Sequence, residues 1–210
     1  MSSDHSHSSE IERWEARFSA PGYLFGTAPN AFLKSKADLL QAKASGKALS
    51  LADGEARNGV FMAEQGLDVL SLDSSSAAQE KARKLAGERN VQIRLERGDL
   101  KSWPWPAAAY DVIVGIFFQF LPPDLRAATF ANITRALKPG GLLLIEGYRP
   151  KQLEYKTGGP PIAEQLYTRE LLESAFHNLS SLEIKEYDAV IHEGTGHAGM
   201  SALIDLVGYK

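Results

Sequence analysis

The chain has 210 residues, a formal net charge of −3 and no cysteine. An apolar fraction of 44% with 23% charged residues is typical of a globular domain. The lack of cysteine excludes disulfides, thiolate metal sites and a cysteine nucleophile, and the acidic balance argues against nucleic acid as a partner. No apolar run suits a membrane span and no targeting pattern opens the chain, so we expect a cytoplasmic protein without a metal site.

The segment 1–47 is expected to form a tail and a helical cap. Residues 1–9 are rich in serine and lack apolar anchors, which predicts disorder. The pattern IERWEARF places apolar residues on one face and predicts a helix over 10–18. A second helix is predicted over 30–44, after a loop with turn signals.

From residue 48 onward, short apolar runs alternate with helical segments. Strands are predicted at 48–52, 67–73, 91–96, 110–117 and 140–148, and helices at 56–66, 76–89, 122–137 and 168–176. This alternation predicts an α/β fold with a parallel sheet covered on both faces. Two longer runs, 182–193 and 200–210, are joined by GTGHAG and predict an antiparallel pair at one edge. A purely parallel sheet, the alternative, would have no such hairpin.

The loop after the first strand reads LADGEARNG (51–59) and lies where open α/β sheets bind ligands. A dinucleotide fingerprint has three glycines here, whereas this chain has one, Gly54, with alanine at positions 52 and 56. The loop therefore differs from a dinucleotide site in its backbone freedom.

The charges of this loop indicate which adenosine ligand suits it. Asp53 and Glu55 would repel a pyrophosphate, but they would attract the sulfonium and ammonium groups of S-adenosylmethionine (SAM). Arg57 is available for the methionine carboxylate. The loop therefore favours SAM over a nicotinamide dinucleotide.

Two further acids follow predicted strands. Asp73 ends the second strand, where a carboxylate can accept both ribose hydroxyls, although a surface acid capping the next helix is an equal alternative. Asp99 follows the third strand, where it can accept the adenine amino group while Leu100 packs on the ring.

Four motifs occur in this order along the chain: ALSLADGEARNG, VLSLDSS, RGDL and ALKPGGLLLIEG. Through these motifs the chain, from about residue 48 to its end, resembles the class I SAM-dependent methyltransferases. It is most similar to the small tellurite-resistance-type enzymes, and more distantly to thiol and thiopurine methyltransferases. The resemblance implies a Rossmann-like, seven-stranded sheet of order 3-2-1-4-5-7-6 with strand seven antiparallel, and a SAM-binding domain over 48–210. The chain departs from the family pattern at Ser50, Ala52 and Ala56.

We expect the cofactor site to combine the cap with the carboxyl ends of the first four strands. The expected cofactor-binding residues are Trp14, Arg17, Phe25, Ala52, Asp53, Gly54, Arg57, Asp73, Ser74, Asp99, Leu100, Gly115, Ile116 and Phe117. The catalytic candidates are Tyr148, after the fifth strand, and His197, as a general base, because a glycine-flanked loop should leave its imidazole exposed and mobile.

The predicted function is methyl transfer from SAM to a small-molecule acceptor, with a thiol or chalcogen compound suggested by the resemblance alone. We expect a monomer or homodimer. One alternative, motivated by the two alanines of the loop, is a non-catalytic SAM-binding protein. Another, disfavoured by the loop charges, is a nicotinamide-dependent oxidoreductase.

Overall fold

The structure, a computed structural model, describes residues 2–210, with side chains described from residue 10 onward. The strands are β1 (Lys47–Leu51), β2 (Asp68–Asp73), β3 (Arg94–Arg97), β4 (Tyr110–Ile116), β5 (Leu137–Tyr148), β6 (Ser180–Glu193) and β7 (His197–Tyr209). The helices are α1 (Ser2–Phe18), α2 (Ala31–Ser35), α3 (Ala37–Gln41), α4 (Arg57–Glu64), α5 (Ser76–Glu88), α6 (Pro123–Ala136), α7 (Gln152–Tyr155) and α8 (Arg169–Ala175).

The strands form one seven-stranded sheet in the order β3-β2-β1-β4-β5-β7-β6. The first five strands run parallel, and β7 is antiparallel to both of its neighbours, β5 and β6. The predicted fold class, the strand order and the terminal antiparallel pair are therefore confirmed, and the purely parallel alternative is wrong.

The central strands are apolar on both faces because helices cover both sides of the sheet. On β1, Leu49 and Leu51 pack into one buried cluster, whereas Ala48 packs into the cluster on the opposite face. Successive side chains of a strand point to opposite faces, so an uninterrupted apolar run is the pattern of a strand buried on both sides. This core holds the carboxyl ends of β1, β2 and β4 side by side.

The cap differs in detail from its prediction. The helix expected over 30–44 is divided into α2 and α3 at Lys36, whose backbone (φ −103°, ψ 17°) leaves the helical conformation. Helix α1 begins well before the predicted start at residue 10. The disorder predicted for residues 1–9 concerns positions whose side chains lie outside the described part of the structure, and it stays a prediction. So does the division of the chain after residue 47.

Three strands begin three residues away from their predicted starts: β3, β7 and β5, which begins at Leu137 rather than residue 140. Strand β3 is short and mostly exposed, since it forms one edge of the sheet, and it begins at Arg94 rather than residue 91. Strand β7 begins at His197 rather than residue 200, because Glu193 and His197 pair directly across the turn. His197 is consequently a strand residue and not a loop residue.

Candidate functional site

A cavity of about 440 Å³ lies at the carboxyl ends of the parallel strands, beneath α1 and the loop that follows it. Its walls come from the segments after β1, β2, β3 and β4, from the cap, and from the β6–β7 turn. Its volume falls within the range of small-molecule sites. Every predicted site residue lines it except Gly115, whose missing side chain leaves room for the ring of Phe118 inside the sheet.

The carboxylate of Asp53 holds the first loop together. It accepts hydrogen bonds from the Ser71 hydroxyl (2.7 Å) and the Gly59 backbone N–H (3.2 Å). Burial raises its pKa to about 6, against the opposing effect of these hydrogen bonds. Asp53 borders the cavity, but its carboxylate oxygens are hydrogen-bonded to groups of the protein. Its main contacts are therefore within the loop and β2, and not with a cationic ligand as expected.

The second acid of the loop points away from the cavity. Glu55 forms an ion pair with Lys81 (2.9 Å) and accepts a hydrogen bond from the Leu24 backbone N–H (2.8 Å). It is buried, and it is absent from the cavity wall. The interpretation of Glu55 as a charge facing the cofactor is therefore wrong. Its carboxylate instead joins the cap to α5.

The two alanines that replace glycines both adopt left-handed backbone conformations. Ala52 has φ 46° and Ala56 has φ 61°, a region that glycine occupies at lower cost. Ala56 is fully buried in a cluster with Val60 and Leu85, between α4 and α5, and does not line the cavity. Its methyl group therefore fills the helix packing and not the ligand site.

Glycine is retained at the position of this loop against which the cap helix packs. At Gly54 (φ 56°), an added Cβ atom would lie 2.9 Å from the ring of Phe18 on α1. The requirement at this position is close contact with the cap helix as well as a left-handed turn.

Asp73 occupies the end of β2, as predicted, and borders the cavity. Its two oxygens accept hydrogen bonds from the backbone N–H groups of Gly54 and Ser75, each at 2.8 Å. Burial raises its pKa, and these hydrogen bonds act in the opposite direction. A carboxylate has about four acceptor sites, so Asp73 can hold the loop and still accept hydroxyl groups of a ligand.

The predicted adenine region lies after β3. Asp99 accepts a hydrogen bond from the Lys101 backbone N–H (3.0 Å), and Leu100 is buried beside it in the cavity wall. This pairing of an acceptor with an apolar surface fits the edge and face of a purine.

Aromatic rings form the opposite end of the cavity. The His197 ring lies between those of Phe25 and Phe117, with centroids 4.5 Å from each. Phe117 also stacks on Tyr148, with centroids 4.6 Å apart. Phe117 has φ 54°, which is unusual for a bulky residue, and such backbone strain is concentrated at functional sites.

His197 and Tyr148 share a hydrogen bond between the Tyr148 hydroxyl and the imidazole Nδ1. His197 is buried, so the predicted exposed and mobile imidazole is wrong. Burial, together with the nearby charges of Arg57 and Arg17, lowers the pKa of His197 to about 3, and burial raises the pKa of Tyr148. Both side chains are thus neutral near pH 7, and the tautomer of the imidazole determines which of the two donates.

The cap covers the mouth of the cavity with aromatic and cationic side chains. The guanidinium of Arg17 lies over the ring of Trp14, 4.4 Å from its centroid, and 6.0 Å from that of Phe25. Helix α1 is held to the N-terminus of α5 by Glu15, which accepts hydrogen bonds from the hydroxyls of Ser75 and Ser76. Cations at this mouth would favour an anionic ligand.

Sequence reasoning missed several wall residues. The segment 158–161, which the sequence analysis did not assign to the site, approaches Tyr148 so closely that a Cβ atom on Gly159 would lie 2.8 Å from its ring. Glu193 and Asn30, which lie behind the wall and not in it, were also missed, because their pairing with each other and with Arg57 joins residues far apart in sequence.

Within the described residues, no cluster of three or more acidic, histidine or cysteine side chains is suited to a metal ion. Among the same residues, none of the helices combines the length and apolar character needed to cross a bilayer.

The comparisons with known proteins show a methyltransferase domain. A sequence model of a family described as a methyltransferase domain matches residues 48–141. The 2-heptyl-1-hydroxyquinolin-4(1H)-one methyltransferase of Mycobacteroides abscessus is 24% identical over 155 residues, covering 70% of this chain and 68% of the relative.

Solved structures share the fold over almost the whole chain. TehB from Haemophilus influenzae superposes with a TM-score of 0.69 at 17% identity, covering 96% of this chain and 67% of TehB. A SAM-dependent methyltransferase from Aquifex aeolicus superposes with a TM-score of 0.59 at 14% identity, covering 96% of this chain and 97% of the other. The fold therefore extends beyond the matched domain. The match over residues 48–141 and the methyltransferase relative identify a SAM-dependent methyltransferase domain in this chain, with SAM as its cofactor.

Proposed function

We propose that the enzyme methylates a small-molecule acceptor that binds at the aromatic end of the cavity. The two ends of the cavity differ in chemistry, and this observation carries the proposal. Asp73 and Asp99 lie at the end formed by β2 and β3, whereas Phe117, Tyr148 and His197 form the other end. The volume of about 440 Å³ suits a cofactor and a compact acceptor rather than a macromolecule.

The cofactor end fits SAM in its chemistry. We assign the ribose hydroxyls to Asp73, the adenine to Asp99 and Leu100, and the methionine carboxylate to Arg57. When bound, SAM supplies an activated methyl group on its sulfonium. The contribution of the protein is to hold the acceptor in line with that group and to exclude water, and such orientation can supply roughly 7–11 kcal/mol.

We further propose that the acceptor is a soft nucleophile, or one that is already ionised, such as a thiol or chalcogen compound. The Nδ1 atom of His197 forms a hydrogen bond with the Tyr148 hydroxyl, and both side chains are neutral near pH 7. Nδ1 is therefore engaged, and an imidazole whose pKa is lowered to about 3 is a weak base for removing a proton from an acceptor. Tyr148 and His197 accordingly orient the acceptor, and the Arg17 cation attracts it to the mouth.

A non-catalytic SAM-binding protein was the alternative suggested by the two alanines. Ala56 packs between helices and does not narrow the cavity, so only Ala52 still supports this alternative. Release of S-adenosylhomocysteine in the presence of an acceptor is the measurement that separates the two functions.

The test is a S-adenosylhomocysteine-release assay with thiols, hydrogen selenide, small amines, phenols and hydroxyquinolones, the last because the mycobacterial relative is named for such an acceptor. We expect turnover with thiol or chalcogen acceptors and little with amines. Turnover confined to amines would contradict the absence of a general base, and no turnover with any class would contradict the proposed acceptor chemistry.

A further inference from the structure

Arg57 is held from behind by an acid that belongs to the opposite end of the chain. Its Nη2 atom donates to Glu193 at 2.5 Å, and both side chains are about 8% exposed. Its Nη1 atom donates to the Ala28 carbonyl at 3.3 Å. The guanidinium borders the cavity, whereas Glu193 does not. Arginine has five N–H donors, so this pairing leaves others for a ligand.

Glu193 is itself fixed on both oxygens. While one oxygen binds Arg57, the other accepts hydrogen bonds from the Asn30 side-chain amide at 3.0 Å and the Ala31 backbone N–H at 3.2 Å. Asn30 is buried, and its backbone N–H donates to the side-chain oxygen of Asn58 at 2.9 Å. The acid therefore cannot turn towards the ligand, and its position is set by the cap and by α4.

The β6–β7 turn after Glu193 packs directly on the cap. A Cβ atom added at Gly194 would lie 2.4 Å from the Leu24 carbonyl oxygen, and one at Gly196 would lie 2.3 Å from the ring of Phe25. The backbone N–H groups of Thr195 and Gly196 donate to that Leu24 oxygen. This contact fixes the end of β6, and with it Glu193, against the cap.

We propose that Glu193 is a positioning residue that holds Arg57 in the orientation required for the carboxylate of the methionine moiety of SAM. The inference rests on the proposed assignment of that carboxylate to Arg57. It adds a role for the terminal hairpin in cofactor recognition, carried through an ion pair that lies outside the cavity wall.

Charge and position predict opposite effects, which makes the inference testable. If Glu193 acted only by its charge, its removal would leave Arg57 more positive and would tighten the binding of a carboxylate. If it acts by position, its removal weakens that binding because the guanidinium loses its strongest fixed contact.

The experiment is calorimetric titration of the full chain with two ligands. S-Adenosylhomocysteine carries the amino-acid carboxylate, and 5′-methylthioadenosine lacks it. For Glu193→Gln we expect about tenfold weaker binding of S-adenosylhomocysteine and less than a twofold change for 5′-methylthioadenosine. Combining it with Arg57→Ala should add no further loss, because the two side chains act as one unit.

Glu183→Gln is the matched control, since Glu183 lies on the same strand and is exposed. Unchanged or tighter binding of S-adenosylhomocysteine to Glu193→Gln would overturn the inference, and so would an equal loss for both ligands, which would indicate a general structural role. Thermal unfolding of each variant verifies that it is folded. Failure of the unaltered protein to bind S-adenosylhomocysteine would instead overturn the cofactor assignment, and the inference with it.

Discussion

The left-handed alanines of the first loop provide a matched pair for a stability measurement. Ala52 borders the cavity and is only partly buried, whereas Ala56 is fully buried between α4 and α5. Both have positive φ. Replacing each in turn by glycine therefore gives the same relief of backbone strain but a different loss of packing.

The magnitudes follow from three contributions. Relief of left-handed strain gains about 1–2 kcal/mol, and the greater freedom of glycine in the unfolded chain costs about 0.5–1 kcal/mol. At Ala52 the net gain should be about 0.5–1 kcal/mol. At Ala56 the loss of a buried methyl group removes roughly a further 0.8 kcal/mol, which cancels that gain. We expect the two variants to differ by about 1 kcal/mol in free energy of unfolding, with Ala52→Gly the more stable.

Denaturant titration measures this difference directly, and thermal unfolding should show about 2–4 °C between the variants. Because Ala56 does not line the cavity, Ala56→Gly should leave the affinity for SAM unchanged. A variant Ala56→Gly that is as stabilising as Ala52→Gly would refute the packing argument. Tighter SAM binding by Ala56→Gly would refute the claim that its methyl group points away from the ligand.

Three further predictions concern ionisable groups. Asp73→Ala should weaken SAM binding by an order of magnitude or more in calorimetry, and unaltered affinity would count against the ribose contact. With two thiol acceptors of different pKa, the inflection in kcat/KM should move with the acceptor in both the unaltered enzyme and His197→Ala; an inflection that is the same for both acceptors and disappears in His197→Ala would instead reveal an enzyme base. Burial raises the pKa of Asp205 to about 6 and also that of Glu146, so the folded state retains these protons more strongly. The free energy of unfolding should therefore fall, by on the order of 1–2 kcal/mol, as pH rises from about 4 through 6, and Asp205→Asn should reduce this dependence.

The sheet could be predicted because its information is local. Apolar runs such as that of β1 are buried on both faces, and the resemblance to a known family supplied the strand order. The same holds for the acids that end strands, since Asp73 needs only its place at the end of β2 to reach the cavity.

The directions of the loop carboxylates could not be predicted in this way. Asp53 and Glu55 are close in sequence, yet one is held by Ser71 and the other by Lys81 and the cap. These partners are brought near by β2, α5 and the segment after α1, whose packing no local pattern records. The inference that a positively charged cofactor suits the loop reached the right cofactor, although Glu55 does not face it.

The glycines beside His197 were misread for a different physical reason. A glycine-rich segment suggests mobility when its glycines are taken as sources of backbone freedom. Here positions 194 and 196 have no room for a side chain, because the backbone of the cap lies against Gly194 and the ring of Phe25 lies against Gly196. The segment that was expected to leave His197 exposed therefore buries it, and the same contacts place Glu193 behind Arg57. One close approach between the terminal hairpin and the cap thus contributes both to the neutral imidazole at the aromatic end of the cavity and to the fixed guanidinium of Arg57.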